Sequence, residues 1–280
     1  MRLDSGAPER EPGQLTPATL TALELIAQPK TVAVLTGQQV GLLGGPCYTI
    51  FKALTAVKMA ALLTAEGTPA VPVFWLATED HDFAEINQAW IFDPSAAPQR
   101  LASNSVAAPG APVGGTPLGE FGLAELEAAL AEMAFGDELL ADVRATYTPE
   151  ATFDGAFLAL MQRWFTRFGL LFVDPLRPAF RELAAPILAQ AAERSAELLP
   201  ALHERNRELV AAGYHAQVHL EADSSLVFLL EGGQRKQLKW KDGAFVAKDG
   251  TWTPAELAAR GAALSANALL RPVVQDWMFP

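Results

Sequence analysis

The chain has 280 residues, half of them hydrophobic, which is ample for one core and sufficient for two. Charged residues are 19% of the total, which excludes a disordered chain, and 21 basic against 32 acidic residues give a net charge of −11. That balance excludes general binding to nucleic acid or to anionic membranes. The one cysteine, Cys47, leaves no internal disulfide and no cysteine zinc site, and it fits a reducing, cytoplasmic compartment. Met1–Gly6 carries no apolar signal core. The uncharged run from Thr31 to Phe51 is interrupted by Gly, Pro46, Gln38 and Gln39, which argues against a spanning helix.

Residues 1–14 are rich in charge, Gly and Pro, and read as a leader. A short helix starts near Thr16 or Pro17 and carries Leu20, Leu23, Leu25 and Ile26. The first strand is Thr31–Leu35, followed by a glycine-rich turn. A helix runs from about Tyr48 to Ala65, with Ile50, Leu54, Val57 and Ala61 at helical spacing and Gly67 past its end. Val71–Ala77 is a buried strand, and Trp90–Phe92 reads as a third. Continuous apolar strands joined by a helix predict a parallel sheet covered on both faces.

Residues from about 94 to 150 form an insertion, opening on a Pro-rich segment and followed by helices at about 122–134 and 136–146. A further helix spans Phe153 to Phe168, and Leu170–Val173 is a core strand with Asp174-Pro175 at its exit. Pro178 to Ala212 is helical with a break near Pro200. Ala216–Leu220 reads as a strand. A β-meander occupies about 225–248, with turns at Gly232-Gly233 and Asp242-Gly243. A short helix at Pro254–Arg260 precedes the apolar segment at 264–276. The uncharged end, Trp277-Met278-Phe279-Pro280, reads as a chain that continues.

Three stretches carry chemistry. The first is Thr36-Gly37-Gln38-Gln39 with Gly44-Gly45-Pro46, between strand and helix. Its glycines allow close backbone approach, and the helix end offers free N–H groups to an anion. Tyr48, Thr49 and Lys52 in the first turns of the helix extend the same cradle. A plain structural turn explains the glycines equally well, but not the paired amides. The second stretch is Glu79-Asp80-His81-Asp82, with Asn87 beyond it. Such crowding suits a divalent ion, a general base at His81, or merely acids capping a helical turn. The third is Asn267, Arg271, Gln275 and Asp276 near the end of the chain, for which a structural Arg–Asp pair is an equal reading. In an open α/β sheet the first two stretches meet at the carboxyl ends of the strands.

Thr36–Lys52 together with Phe74–Asn87 resembles the BshC family of bacillithiol biosynthesis. The resemblance continues through Gly213-Tyr214-His215-Ala216-Gln217-Val218 and Leu264–Pro272, and it covers residues 31–280. It implies the N-terminal half of that family: a Rossmann-like core with an inserted segment and without the family's C-terminal coiled coil, which makes a homodimer. It also implies a cysteine ligase that joins cysteine to the amine of glucosaminyl-malate. Forming an amide from a free carboxylate is uphill, so activation by ATP with Mg²⁺ is expected. The His-x-Gly-His signature of nucleotidyl-transferring synthetases is absent. On this resemblance Glu79, Asp80, His81 and Asp82 are the catalytic candidates. Thr36, Gly37, Gln38, Gln39, Gly44, Gly45, Pro46, Tyr48, Thr49, Lys52, Asn87, Asn267, Arg271 and Gln275 are the binding candidates. Two other readings stand beside it: a half-protein that binds ligand without turnover, and a metal-dependent phosphoesterase using Glu79–Asp82.

Overall fold

The structure, a computed structural model, describes residues 15–279 except 217 and 219. The expected leader lies outside the described residues, as do Gln217 and His219 of the expected strand at 216–220; Ala216, Val218 and Leu220 are not in a strand. Sequence reading takes 31–280 as one core, whereas the chain folds as two units. Of the described residues, the first holds 15–107 and 113–174, the second 108–112 and those from 175 to 279.

In the first unit, α1 (Pro17–Ile26) is capped by the Thr16 hydroxyl, which accepts the Thr19 N–H at 3.1 Å. Then follow β1 (Val32–Gln38), α2 (Tyr48–Ala65) and β2 (Ala70–Leu76). After these come α3 (Phe83–Ile86), β3 (Gln88–Phe92), β4 (Pro98–Ala102), α4 (Leu123–Leu130), α5 (Gly136–Thr146), α6 (Phe153–Phe165) and β5 (Leu171–Val173). The strands β1, β2 and β5 form a parallel sheet in the order β1-β2-β5. Every residue of β2 is buried, as expected of a parallel strand covered on both faces. Phe74 packs between Phe157 of α6 and Phe172 of β5, with ring centroids 6.1 and 6.0 Å away.

Three expectations change. Thr36, Gly37 and Gln38 are strand, not turn, because they continue the pairing with Phe74, Trp75 and Leu76. Trp90–Phe92 does not join the parallel sheet; β3 pairs antiparallel with β4 in a separate ribbon. The buried stripe of α2 is Thr49, Ala53, Ala56 and Ala60, not the one through Leu54, which is exposed. Small side chains on that stripe let the helix lie close to the sheet; Ile50 and Val57 beside it pack half-buried on the core, while Phe51, Leu54, Met59 and Leu62 are exposed.

The second unit begins with α7 (Pro178–Glu193) and α8 (Ser195–Ala211), which break at Arg194 and not at Pro200. Both Pro186 and Pro200 sit inside helices. The meander β6 (Ser224–Glu231), β7 (Gln234–Lys241), β8 (Ala244–Ala247) and β9 (Gly250–Trp252) follows. Its two-residue turns have the positive φ angles of hairpin turns at Gly232-Gly233 and Asp242-Gly243. After α9 (Pro254–Ala258) comes β10 (Leu264–Ala266), a strand the sequence does not announce, which pairs with β6 in the order β10-β6-β7-β8-β9. The helix α10 (Arg271–Met278) closes the described chain.

Gly37 shows how tightly β1 approaches β2. A Cβ there would stand 2.6 Å from the Trp75 carbonyl oxygen and 2.9 Å from the Trp75 Cβ. Gly37→Ala is therefore expected to lower stability by about 1–3 kcal/mol in urea unfolding. Phe51→Ser on the open face of α2, where Phe51 is 63% exposed, is expected to change it by no more than about 0.5 kcal/mol.

Candidate functional site

Parallel register brings the carboxyl ends of β1, β2 and β5 to one edge of the first unit. Gln38 lies opposite Leu76, and Trp75 lies opposite Val173. The residues that follow these strands are the chemistry-bearing ones: Gln39, Thr78 to Asp82, and Asp174. In open α/β sheets this edge is where ligands bind.

At the end of β1, Gln38, Tyr48 and Lys52 form one cluster. The Gln38 amide donates to the Tyr48 hydroxyl at 3.1 Å. The Lys52 ammonium donates to Gln38 Oε1 at 2.9 Å and to the Gly37 carbonyl at 3.3 Å. It also lies 4.8 Å from the centre of the Tyr48 ring, a cation–π distance. Lys52 is thus held at the strand end, with Thr36 and Tyr48 beside it in a cleft of about 330 Å³.

The next loop is shaped by backbone. A 3₁₀ turn at Leu42–Gly44 is followed by Gly45, and φ is +56° at Leu43, +87° at Gly44 and +72° at Gly45. Left-handed backbone at both glycines suits residues without a Cβ. Val40 and Leu42 anchor the loop in the core, each fully buried. From the far side Tyr147 latches it: the Gly44 N–H donates to the Tyr147 hydroxyl at 3.0 Å, and that hydroxyl donates to the Gly41 carbonyl at 3.3 Å.

Just beyond, α2 starts. Thr49 N–H donates to Pro46 and Ile50 N–H to Cys47, while the N–H groups of Cys47 and Tyr48 have no backbone acceptor among the described residues. The Thr49 hydroxyl is fully buried and has no hydrogen-bond partner among the described residues. It lies 3.5 Å from where a Cβ on Gly45 would stand. A buried hydroxyl without a partner, beneath a loop of left-handed glycines and at a helix end, fits an acceptor such as a phosphate or carboxylate oxygen.

At the end of β2, the buried Thr78 hydroxyl donates to the buried Asp174 carboxylate at 2.6 Å, joining the exits of β2 and β5. Glu79 is buried, Asp80 half-buried, and His81 and Asp82 are exposed. The loop is held by the Val113 and Gly114 N–H groups, which donate to the Asp80 and Thr78 carbonyls at 2.7 and 3.1 Å. Asp82 caps α3, its carboxylate accepting the Glu85 N–H at 3.3 Å. Asn87 ends that helix half-buried, and its carbonyl accepts the Ser103 N–H. The two motifs touch directly: the Gln39 amide donates to Glu85 Oε2 at 2.5 Å. Among the described residues, no three His, Cys, Asp or Glu side chains converge on a metal position.

Asn267, Arg271 and Gln275 belong to the second unit. Asn267 Nδ2 donates to the Ser225 carbonyl, and its Oδ1 accepts the Leu269 and Leu270 N–H groups at 2.9 Å each. Its side chain thereby fixes the entry to α10. Arg271 opens that helix and Gln275 lies one turn on, both half-buried.

Sequence reading missed Asp174, Tyr147 and Glu85 as site residues. Asp174 had a signal, a polar residue directly after an apolar strand. Tyr147 had none, since it acts on a loop about one hundred positions away.

A family model described as bacillithiol biosynthesis BshC, N-terminal Rossmann-like domain, matches residues 9–280. A Solibacter usitatus protein named "Putative cysteine ligase BshC" is 50% identical over 259 residues, covering 92% of this chain and 49% of that protein. Proteins of the same name from Koribacter versatilis and Desulforamulus reducens are 39% and 33% identical, covering 89% and 94% of this chain and 47% and 50% of theirs. The chain spans about half the length of the curated relatives it matches.

Tyr147→Phe removes the hydroxyl that satisfies Gly44 N–H and Gly41 O, and is expected to cost about 1–3 kcal/mol in urea unfolding. Burial pushes the Tyr147 pKa well above its ordinary 10.0, against the weaker lowering effect of the loop backbone. A pKa raised on folding stabilises below the unfolded value. As pH climbs past 10 only the unfolded chain gives up this proton, so that contribution is lost at about 1.4 kcal/mol per pH unit. A comparison of wild type with Tyr147→Phe between pH 8 and 11 is expected to show a steeper alkaline fall in wild type.

Proposed function

Since the chain belongs to the BshC family, in its N-terminal Rossmann-like domain, we propose that it supplies the activating half of a cysteine ligase active site. The reaction would join the carboxyl carbon of an ATP-activated cysteine to the amine of glucosaminyl-malate, forming the last amide of bacillithiol as the carboxyl C–O bond breaks and its oxygen leaves on phosphate or AMP. One observation carries this reading: the buried, unpartnered Thr49 hydroxyl under the Gly44-Gly45 loop at the α2 N-terminus.

That cradle fits an anionic group. The Cys47 and Tyr48 N–H groups, the Thr49 hydroxyl and the glycine loop would hold phosphate oxygens of ATP, with Lys52 at the strand end beside them. ATP would supply the free energy for amide formation. With no three-ligand cluster among the described residues, Mg²⁺ would rest on one or two carboxylates of Glu79–Asp82 together with phosphate oxygens. This favours the ligase over a phosphoesterase built on those carboxylates alone.

The chain's own groups divide the remaining work. As the new C–N bond forms, the attacking amine must lose a proton. His81, exposed on the rim of the β2 exit, is assigned that role. Thr78 and Asp174 hold the floor of that exit rigid, so its geometry is set before substrate arrives. Gln38 and Gln39, each already oriented by a partner, present neutral amide groups to the polar substrate. Asn87 is a further binding candidate of the first unit, whereas Asn267, Arg271 and Gln275 belong to the second, where Asn267 fixes the entry to α10. Homodimerisation and cytoplasmic location are proposed from the family alone.

The test is mass spectrometry of a reaction holding cysteine, glucosaminyl-malate and ATP with the full-length Solibacter usitatus relative. At the position of Thr49, Thr→Val is expected to raise KM for the anionic reactant about tenfold with kcat nearly unchanged. At the position of His81, His→Ala is expected to lower kcat by about 10²–10⁴. Wild-type rates from both variants would overturn these assignments.

A further inference from the structure

The partners of the two glutamines at the end of β1 fix which way each amide faces. Lys52 has only donors, so Gln38 turns its oxygen to the ammonium at 2.9 Å and its nitrogen to the Tyr48 hydroxyl at 3.1 Å. Both ends of that amide are engaged. An ionised carboxylate only accepts, so Gln39 turns its nitrogen to Glu85 Oε2. Among the described residues nothing donates to Gln39 Oε1 or to the second carboxylate oxygen of Glu85.

Gln39 is half-buried and Glu85 exposed, and among the described residues no Lys, Arg or His forms an ion pair with Glu85. The nearest charged side chain on the same short helix is another acid, Asp82, whose carboxylate accepts the Glu85 N–H. The pair therefore offers two free acceptor oxygens and an uncompensated negative charge. A cation with several N–H donors matches that set, and an ammonium group has three.

Gly41 links this pair to the anion cradle. A Cβ there would stand 2.9 Å from the Gly45 Cα and 4.0 Å from the Ile86 carbonyl oxygen, so the loop after β1 touches α3 one residue from Glu85. On the other side of that loop is the Thr49 hydroxyl, buried, without a partner among the described residues, and 3.5 Å from the Cβ position of Gly45. Acceptors for a cation and donors for an anion thus border one short loop. An α-amino acid has the same pattern, with ammonium and carboxylate on one carbon.

We propose that Gln39 Oε1 and the Glu85 carboxylate bind the α-ammonium of the amino acid that the ligase activates, with its carboxylate turned toward the Gly44-Gly45 cradle. The assignment rests on the ligase reading given above. That reaction involves two amines with opposite requirements. The attacking amine must be neutral, because its lone pair forms the C–N bond. The α-ammonium of the activated amino acid must keep its proton, or it would attack a second activated molecule. A neighbouring carboxylate favours the charged form of an amine. Glu85 therefore suits the amine that must not react, which is that of cysteine and not that of the amino sugar. Glu85 and Gln39 are specificity-determining residues: they accept a free amino acid and discriminate against an N-acylated one.

Calorimetry on this chain tests the assignment, with L-cysteine, N-acetyl-L-cysteine, glucosaminyl-malate and ATP as separate probes. L-cysteine is expected to bind about 10- to 100-fold more tightly than N-acetyl-L-cysteine. Glu85→Gln is expected to remove that preference by weakening L-cysteine alone, with the affinities for N-acetyl-L-cysteine and ATP unchanged. Because Glu85 is exposed, the thermal midpoint of the variant is expected to match that of wild type. Equal affinity of wild type for the two cysteine derivatives, no binding of L-cysteine, or an unchanged L-cysteine affinity in Glu85→Gln would overturn the proposal. So would Glu85→Gln weakening ATP as much as L-cysteine, which marks a role in loop structure, or weakening glucosaminyl-malate in place of L-cysteine. Discrimination between the cysteine derivatives in a chain that binds no ATP would overturn the ligase reading and uphold the ammonium subsite.

Discussion

Where Gly37 faces Trp75, β1 and β2 come together with no room for a side chain on the β1 side. That contact locks the register, and the register sets where each strand runs out. Gln38 ends level with Leu76, and Val173 sits opposite Trp75, so Gln39, Thr78 and Asp174 all leave the sheet at one edge. A slip of one residue would turn the β1 side chains to the opposite face and carry Gln38 away from Tyr48 and Lys52. The chemistry of the first unit therefore depends on a packing constraint several residues below it.

Above that constraint the candidate site is held together by hydrogen bonds between residues far apart in the chain. Tyr147 holds the glycine loop by two hydrogen bonds from a fully enclosed position. Thr78 and Asp174 tie two strand exits together, and Gln39 and Glu85 tie the loops after β1 and β2. Against this background of satisfied groups, the Thr49 hydroxyl stands out, because leaving a buried hydroxyl unpaired costs about 1–3 kcal/mol. A ligand oxygen that accepts from it would recover that cost as binding energy.

Legibility in the sequence followed the range of the interaction. α2, the hairpin turns and the Thr16 cap were readable because period, glycine and cap chemistry act within a few residues. The extent of β1 was misread because Thr36-Gly37-Gln38 looks like a turn locally. Only the partners Phe74 to Leu76 make it strand. Trp90–Phe92 had the composition of a core strand yet pairs in a peripheral ribbon, since apolar alternation says nothing about which strand lies alongside. The two site motifs were visible as unusual local compositions. Their connection through Gln39 and Glu85, and the Tyr147 latch, were not, because both are contacts across long stretches of chain.

On α2 the fully buried stripe lies one residue away from the stripe of large apolar residues. Sequence periodicity pointed to Ile50, Leu54, Val57 and Ala61, yet the helix meets its own sheet with Thr49, Ala53, Ala56 and Ala60. Its small face suits the close approach demanded by a short β-α-β crossover, Ile50 and Val57 beside it pack on the core, and Phe51, Met59 and Leu62 form an exposed large face. The same residue, Tyr48, stands at the head of that large face and also holds Gln38 and Lys52 at the strand end. Covering of that face would therefore bear on the candidate site, because Tyr48 belongs to both.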